Sequence, residues 1–287
     1  MERIPVRSIN AAQQDSEPSG KFNIRKIGTL LSGNDMVQKL HRHDFFFFLA
    51  LEKGSGEHIV DFIRHPVGNH SIFFLRPGQV HQLTLKKGST GYLMEFDAGF
   101  YSPAEKSAAY VLRKASARNH CKLETKQSGK IFSILEVIFQ EHSGRQERFT
   151  DAIKANLAIL FIELVRQSQN PHATVDVKNS YAQERLDDFL ELLHTHITAT
   201  KEVAGYAKML HLSNYQLNAI TKTAVGKTCS ELINEHIILE SKRQLLATSN
   251  QVNAIALQLG YEDVSYFIRF FKKHTGYTPE TFRQNFR

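Results

Sequence analysis

The chain has 287 residues, 41% of them hydrophobic, with 36 Lys+Arg against 29 Asp+Glu, a net charge of +7 and an isoelectric point near 9.3. That length predicts about two domains with a core each, and Cys121 and Cys229, the only cysteines, exclude a disulfide framework or a four-thiolate zinc site and suit a reducing compartment. The basic balance favours a polyanionic partner only in a general way, because residues 181–287 hold 12 Lys+Arg against 11 Asp+Glu.

Residues 1–20 are polar, with Pro5, Pro18 and Gly20, and read as a loose arm without the apolar core of a signal peptide. The longest apolar run, Phe45 to Leu51, is far too short to span a bilayer, so the expectation is a soluble, cytoplasmic protein with no membrane partner. From Phe22 to about Phe100 short apolar segments alternate with Gly, Pro, Asn and Asp. Strands are expected at 22–31, 45–51, 58–63, 71–75, 82–86 and 92–97, as in a small barrel or sandwich.

Three histidines stand out in that region. His41 and His43 are two apart and share a strand face, and His81 follows a Pro-Gly-Gln-Val turn that can bring it close. Three readings stand: a divalent metal site, a polar lining for an effector pocket, and ordinary structural histidines. Alternation along Phe45–Phe48 sends two rings inward and two outward, as plain core or as walls of a pocket. Phe46 and Phe48 are taken as the pair that joins His41, His43 and His81 in lining an effector pocket; no metal ligand or cofactor is assigned.

Beyond Ser102 the periodicity becomes helical. Helices are expected at 104–114, 128–141 and 146–167, the last two with long apolar stripes that suit packing on the barrel or on a second copy. Residues 168–180, polar and aperiodic, make the expected domain linker. The region 21–167 is then one domain and 181–287 another.

The second domain begins with a helix at 184–196. Segments 202–210 and 213–224 follow as a first helix-turn-helix, with Ser213 capping its second helix. Leu217 and Ile220 face inward, which leaves Tyr215, Asn218, Ala219 and Lys222 outward. Residues 230–247 form a joining helix of 18 residues, roughly 27 Å long. A second helix-turn-helix occupies about 252–274. There Phe267, Phe270 and Phe271 recur at helical spacing as a buried side, and Ser265, Ile268, Arg269 and Lys272 lie outside. Arg269 suits bidentate bonding to guanine in a major groove, Ile268 a thymine methyl, and Lys272 and Lys273 suit phosphates, while Asp263 suits the helix cap.

The run IALQLGYEDVSYFIRFFKKHTGYTPETFR resembles the second DNA-binding unit of the arabinose-regulator (AraC/XylS) family of bacterial transcription factors. HRHDFFFFLALEKGSGEHIVDF and IFFLRPGQVHQL are similar to the cupin-like sensing domain that many members carry. The resemblance implies a multidomain α+β chain: an N-terminal cupin-like β-barrel with following helices, then an all-α domain of two helix-turn-helix units joined by a helix. It implies a homodimer through the helix pair, double-stranded DNA bound in two successive major grooves, an unidentified small-molecule effector, RNA polymerase as a further partner, and no enzymatic activity. Tyr215, Asn218 and Val264 match positions that commonly face DNA in the family. Two residues depart from its pattern, Thr221 where a phenylalanine is usual and Ala219 where an arginine is common. The competing expectation is a metal-dependent cupin oxygenase or isomerase using His41, His43 and His81. Metal-binding cupins add a glutamate four or five residues after the second histidine, whereas this chain has Phe47 and Phe48 there.

Overall fold

The structure, a computed structural model, describes residues 5–7, 9, 21–103, 105–168 and 177–286. Most of the expected 1–20 arm and of the 168–180 linker therefore lies outside the described residues. The chain divides into two units, Pro5–His172 and one built on Ala173–Arg287. No helix among the described residues is long and apolar enough to cross a membrane.

The first unit holds two five-stranded sheets. One runs in the order β1 (Val6–Arg7), β3 (Met36–His43), β8 (Val80–Leu85), β5 (Gly56–Val60), β6 (Ile63–Val67); the other runs β10 (His120–Lys122), β7 (Ser71–Leu75), β4 (Phe46–Lys53), β9 (Thr90–Phe96), β2 (Phe22–Lys26). β4 shows why the sheets pack as they do. Phe45, Phe47, Leu49 and Leu51 share a core with Val60, Leu83 and Leu85 of the facing sheet. Phe48 and Ala50 join a second core with α2 (Lys106–Ala115), α3 (Thr125–Gly144) and α4 (Phe149–Ser168). A strand covered on both faces reads as a continuous apolar run, and Phe45–Leu51 is one.

Several expected boundaries shift. The second half of the expected strand 22–31 is a short helix, α1 (Ile27–Leu31), which buries Ile27 and Leu31 one turn apart; an i, i+4 pair shares a face in a strand as well, so spacing alone does not separate the two. The expected strand 58–63 is instead a hairpin: Val60 pairs with Ile63, and Asp61 and Phe62 take φ of 46° and 69° between them, as a two-residue type I′ turn requires. Asp61 holds that turn by accepting from Gln79 Nε2 at 2.8 Å and Val80 N at 3.3 Å. Strands β3 and β6 were not among the expected ranges, apart from the strand face given to His41 and His43 and the end of 58–63 at Ile63, since Gln38, Lys39 and Arg42 in the one and Arg64, His65 and Pro66 in the other break up the apolar pattern. Residues Val6–Arg7 depart from a loose arm, pairing in parallel with Arg42 and His43 of β3, and Ile9 is buried in the inter-sheet core.

The second unit is helical: α5 (Val177–His196), α6 (Val203–Met209), α7 (Asn214–Val225), α8 (Cys229–Ala247), α9 (Val252–Gln258), α10 (Val264–Thr275) and α11 (Pro279–Phe286). One core runs from Leu186, Phe189 and Leu193 through Ile233 and Ile237 to Phe267, Phe271 and Phe282. Both helix-turn-helix pairs, α6–α7 and α9–α10, thus share it. Capping boxes start α7 (Ser213 with Gln216) and α8 (Thr228 with Glu231). Helix α11 was not expected. Its Phe282 packs on Phe271, and Arg283 donates to the Leu245 and Asn250 carbonyls at 2.9 and 2.5 Å, satisfying groups at the end of α8.

Candidate DNA interface and effector cavity

Helix α10 begins on Asp263, whose carboxylate accepts from the backbone N–H groups of Ser265 and Tyr266 at 2.7 and 3.1 Å. The expected cap is the one observed. Phe267 and Phe271 are buried; Ser265, Arg269, Lys272 and Lys273 are exposed, while Val264 and Ile268 are half-buried and pack against the core. The Arg269 side chain is 69% exposed, and its guanidinium reaches Asp263 across 3.8 Å. A pair that long and that wet is worth about 0–1 kcal/mol, so a stronger partner displaces it readily. Tyr266, not singled out from the sequence, is exposed beside Ser265; its signal was an aromatic in the first turn outside the Phe267–Phe271 stripe.

Helix α7 presents Tyr215, 83% exposed, in its own first turn, with Ala219 and Lys222 on the same outer side. Asn218 is placed differently from expectation. It is half-buried, its amide nitrogen donates to the Asn214 carbonyl at 3.0 Å, and its oxygen accepts from Cys229 N at 3.0 Å. Both ends of the amide are engaged within the protein, so Asn218 ties α7 to the start of α8 rather than reaching outward. Thr221 explains the missing phenylalanine: wholly buried, it donates to the Asn218 carbonyl at 3.2 Å and lies 3.6 Å from the Cys229 sulfur. A small polar cluster fills the place of a ring, and burial there raises the Cys229 thiol pKa.

In the first unit a cavity of about 470 Å³ opens between the sheets. Phe45, Phe47 and Leu93 form its apolar wall; Arg7, Arg25, Gln38, His43 and Glu95 supply the polar one. Glu95 is buried, accepts from Arg25 at 2.9 Å, and has its carboxyl pKa raised by burial against the lowering effect of Arg25. Phe46 and Phe48 do not line this cavity. They sit on the opposite face of β4, against Phe74, Phe96 and the helices, so the expected pocket pair is off by one residue and Phe45 and Phe47 take its place.

The histidines do come together, and His58 joins them. His41, His43 and His81 are buried with ligand atoms within 4.8 Å of one another. His81 Nε2 lies 2.7 Å from His43 Nε2, and its Nδ1 lies 2.8 Å from His58 Nε2. His41 Nδ1 donates to the Lys39 carbonyl at 2.6 Å. Burial lowers all four pKa values, to about 3 for His43 and His58, so the imidazoles are neutral at physiological pH. His58 was missed because it stands alone in sequence; β5 beside β8 brings it to His81. Among these, only His43 borders the cavity.

Two helix-turn-helix pairs on one core, carried by a chain whose other unit encloses a cavity, define a DNA-binding regulator with a ligand-binding domain. A model of the AraC-like ligand binding domain matches residues 32–204, and a helix-turn-helix domain model matches residues 206–285. The chain belongs to the AraC family of transcription regulators. It is 22% identical over 254 residues to the transcriptional activator RhaR of Mannheimia succiniciproducens, covering 86% of this chain and 87% of that one. Against the uncharacterized regulator YfiF of Bacillus subtilis it is 21% identical over 255 residues, covering 86% and 79%. Among solved structures, ToxT of Vibrio cholerae aligns over 93% of this chain and 98% of its own at 15% identity, with a TM-score of 0.40. RhaR and YfiF are named as regulators, and membership of the family makes this protein a regulator in place of the oxygenase or isomerase of the competing expectation.

Asn218→Ala removes two hydrogen bonds and orphans Cys229 N. Chemical denaturation is expected to show a loss of about 1–3 kcal/mol, with the sequence preference for DNA unchanged; altered base preference at full stability would instead return Asn218 to the DNA face.

Proposed function

We propose that the protein is a dimeric regulator whose helices α7 and α10 enter two successive major grooves of double-stranded DNA. The observation that carries this is the pair of outward faces on one shared core: Tyr215 and Lys222 on α7, Ser265, Arg269, Lys272 and Lys273 on α10. Helix α8, 19 residues or about 28 Å, has the length to set them near the roughly 34 Å of one DNA turn. Arg269 reads guanine, Val264, Ser265 and Ile268 meet neighbouring base edges and methyls, and Lys272 and Lys273 neutralise phosphates. Tyr215 contacts a phosphate or a thymine methyl, and Lys222 a phosphate. The expected limits, 21–167 for the effector domain, 168–180 for the linker and 181–287 for the DNA domain, are kept with two changes: the effector domain takes in Val6, Arg7 and Ile9, which pair with β3 or join its core, and the DNA domain starts with α5 at Val177; RNA polymerase and a cytoplasmic location follow from the same reading.

The effector site is the cavity beside His43. Its volume falls in the range of small-molecule sites, and Arg7, Gln38 and the Arg25–Glu95 pair, with Phe45 and Phe47, fit a compact molecule with a polar, oxygen-bearing end and an apolar body. Occupancy there alters DNA engagement through the connecting segment and the dimer. Dimerisation is assigned to the α3–α4 pair, where Val137, Ile159 and Ile162 stay exposed, Ile159 and Ile162 on one side of α4.

Selection of genomic fragments by the purified chain should recover a bipartite site. On it Arg269→Ala is expected to weaken binding about 5- to 150-fold, from about 1–3 kcal/mol, and to relax one guanine position while random DNA binds as before; equal weakening on all sequences would make Arg269 a phosphate contact. Ile159→Glu should convert a dimer to a monomer in analytical ultracentrifugation, and a dimer unchanged by it would place the interface elsewhere.

A further inference from the structure

We infer that His41, His43 and His81 form a binding site for one divalent first-row transition-metal ion in the β-rich unit. The topology presents them together. His41 and His43 stand two apart on β3 and face one way, His41 pairs directly with His81 on β8, and a register shift between Gln38 and His41 re-aims that stretch of β3. The three are buried, with ligand atoms within 4.8 Å of one another.

Their hydrogen bonds fix which nitrogen is available. His41 Nδ1 spends its proton on the Lys39 carbonyl, so Nε2 carries a lone pair, and that Nε2 is buried without a partner. His81 Nδ1 meets His58 Nε2, the kind of outer contact that orients a ligating imidazole. A chain of neutral imidazoles accounts for the 2.7 Å contact between His81 and His43 but leaves His41 Nε2 bare, as His43 Nδ1 and His58 Nδ1 are; of these nitrogens, His41 Nε2 is the lone pair that an ion in the cluster would engage. An orphaned buried acceptor is costly; an ion held by His41, His43 and His81 satisfies it.

The donor set selects the class of ion. No carboxylate belongs to the cluster among the described residues, and Phe47 stacks on His43 at 5.3 Å. Imidazoles alone suit zinc, copper, iron and nickel-like ions and not magnesium or calcium. With metal–nitrogen bonds of about 2.0–2.1 Å, ligands at right angles stand roughly 2.9 Å apart and tetrahedral ones roughly 3.3 Å. The 2.7 Å between His43 and His81 is shorter than either, and the three ligand atoms lie within 4.8 Å of one another, so the rings adjust when they close on an ion. Because His43 also borders the cavity, such an ion would lie next to the proposed effector. That last step rests on the effector reading above; the metal site does not.

The test uses the full chain, stripped with EDTA, dialysed, and titrated with Co²⁺ while visible absorption and bound cobalt are measured. One equivalent per chain is expected, with ligand-field bands. His41→Gln should weaken binding at least tenfold, and His58→Gln should keep the stoichiometry while weakening it about 10- to 100-fold through lost orientation. Far-UV circular dichroism checks that each variant is folded, and His43→Gln replaces His41→Gln if the latter is not. Absence of stoichiometric cobalt, or binding unchanged by the His41 and His43 variants, overturns the site. DNA binding by the stripped chain, measured on the same sample, reports separately on the regulator reading.

Discussion

At Gly260 two backbone segments approach so closely that no side chain fits between them. A β-carbon there would stand 2.0 Å from the Thr198 carbonyl oxygen, and the residue has φ of +73°, so glycine is required on both counts. The Lys201 ammonium closes the contact, donating to the Gly260 carbonyl at 2.8 Å and lying 4.7 Å over the Tyr261 ring. Thr198 and Lys201 precede α6, the first helix of one helix-turn-helix; Gly260 and Tyr261 are the turn of the other. Their junction, together with the continuous core under both and the Arg283 contacts to the end of α8, makes the helical unit a single body. The proposed reading of two grooves depends on that rigidity, because recognition helices on a flexible joint would carry no fixed spacing.

The β-rich unit solves a different problem. Its second sheet is covered on both faces, by the facing sheet and by α2–α4, and the space left between the sheets holds the cavity and the histidines. Packing supplies the chemistry of this region. Burial keeps four imidazoles neutral, gathers three of them, and leaves three nitrogens bare, His41 Nε2, His43 Nδ1 and His58 Nδ1. A wet site would let these groups charge and part.

How much of this was legible in the sequence varied with physical cause. Helix caps and stripes are local, so Ser213, Asp263, Phe267 and the bounds of α7, α8 and α10 could be read directly. Strand parity in Phe45–Phe48 could not, since a strand buried on both faces shows no alternation, and the pocket residues were displaced by one. Asn218 looked free by spacing; what engages its amide oxygen is the hydrogen bond from Cys229 N, eleven residues away. His58 and the α11–α8 contact likewise exist only through tertiary pairing. The family resemblance carried the two-unit DNA domain and the sensing domain, and both domains are present.

The central claim is that one protomer reads two successive grooves with fixed spacing. The most direct measurement is binding to a selected bipartite site and to the same site with about 5 base pairs, half a helical turn, inserted between its half-sites. A rigid unit predicts at least a tenfold loss, because the second recognition helix then faces the wrong side of the duplex. Equal affinity for both spacings would contradict it, and the two helix-turn-helix pairs would have to be regarded as independent readers.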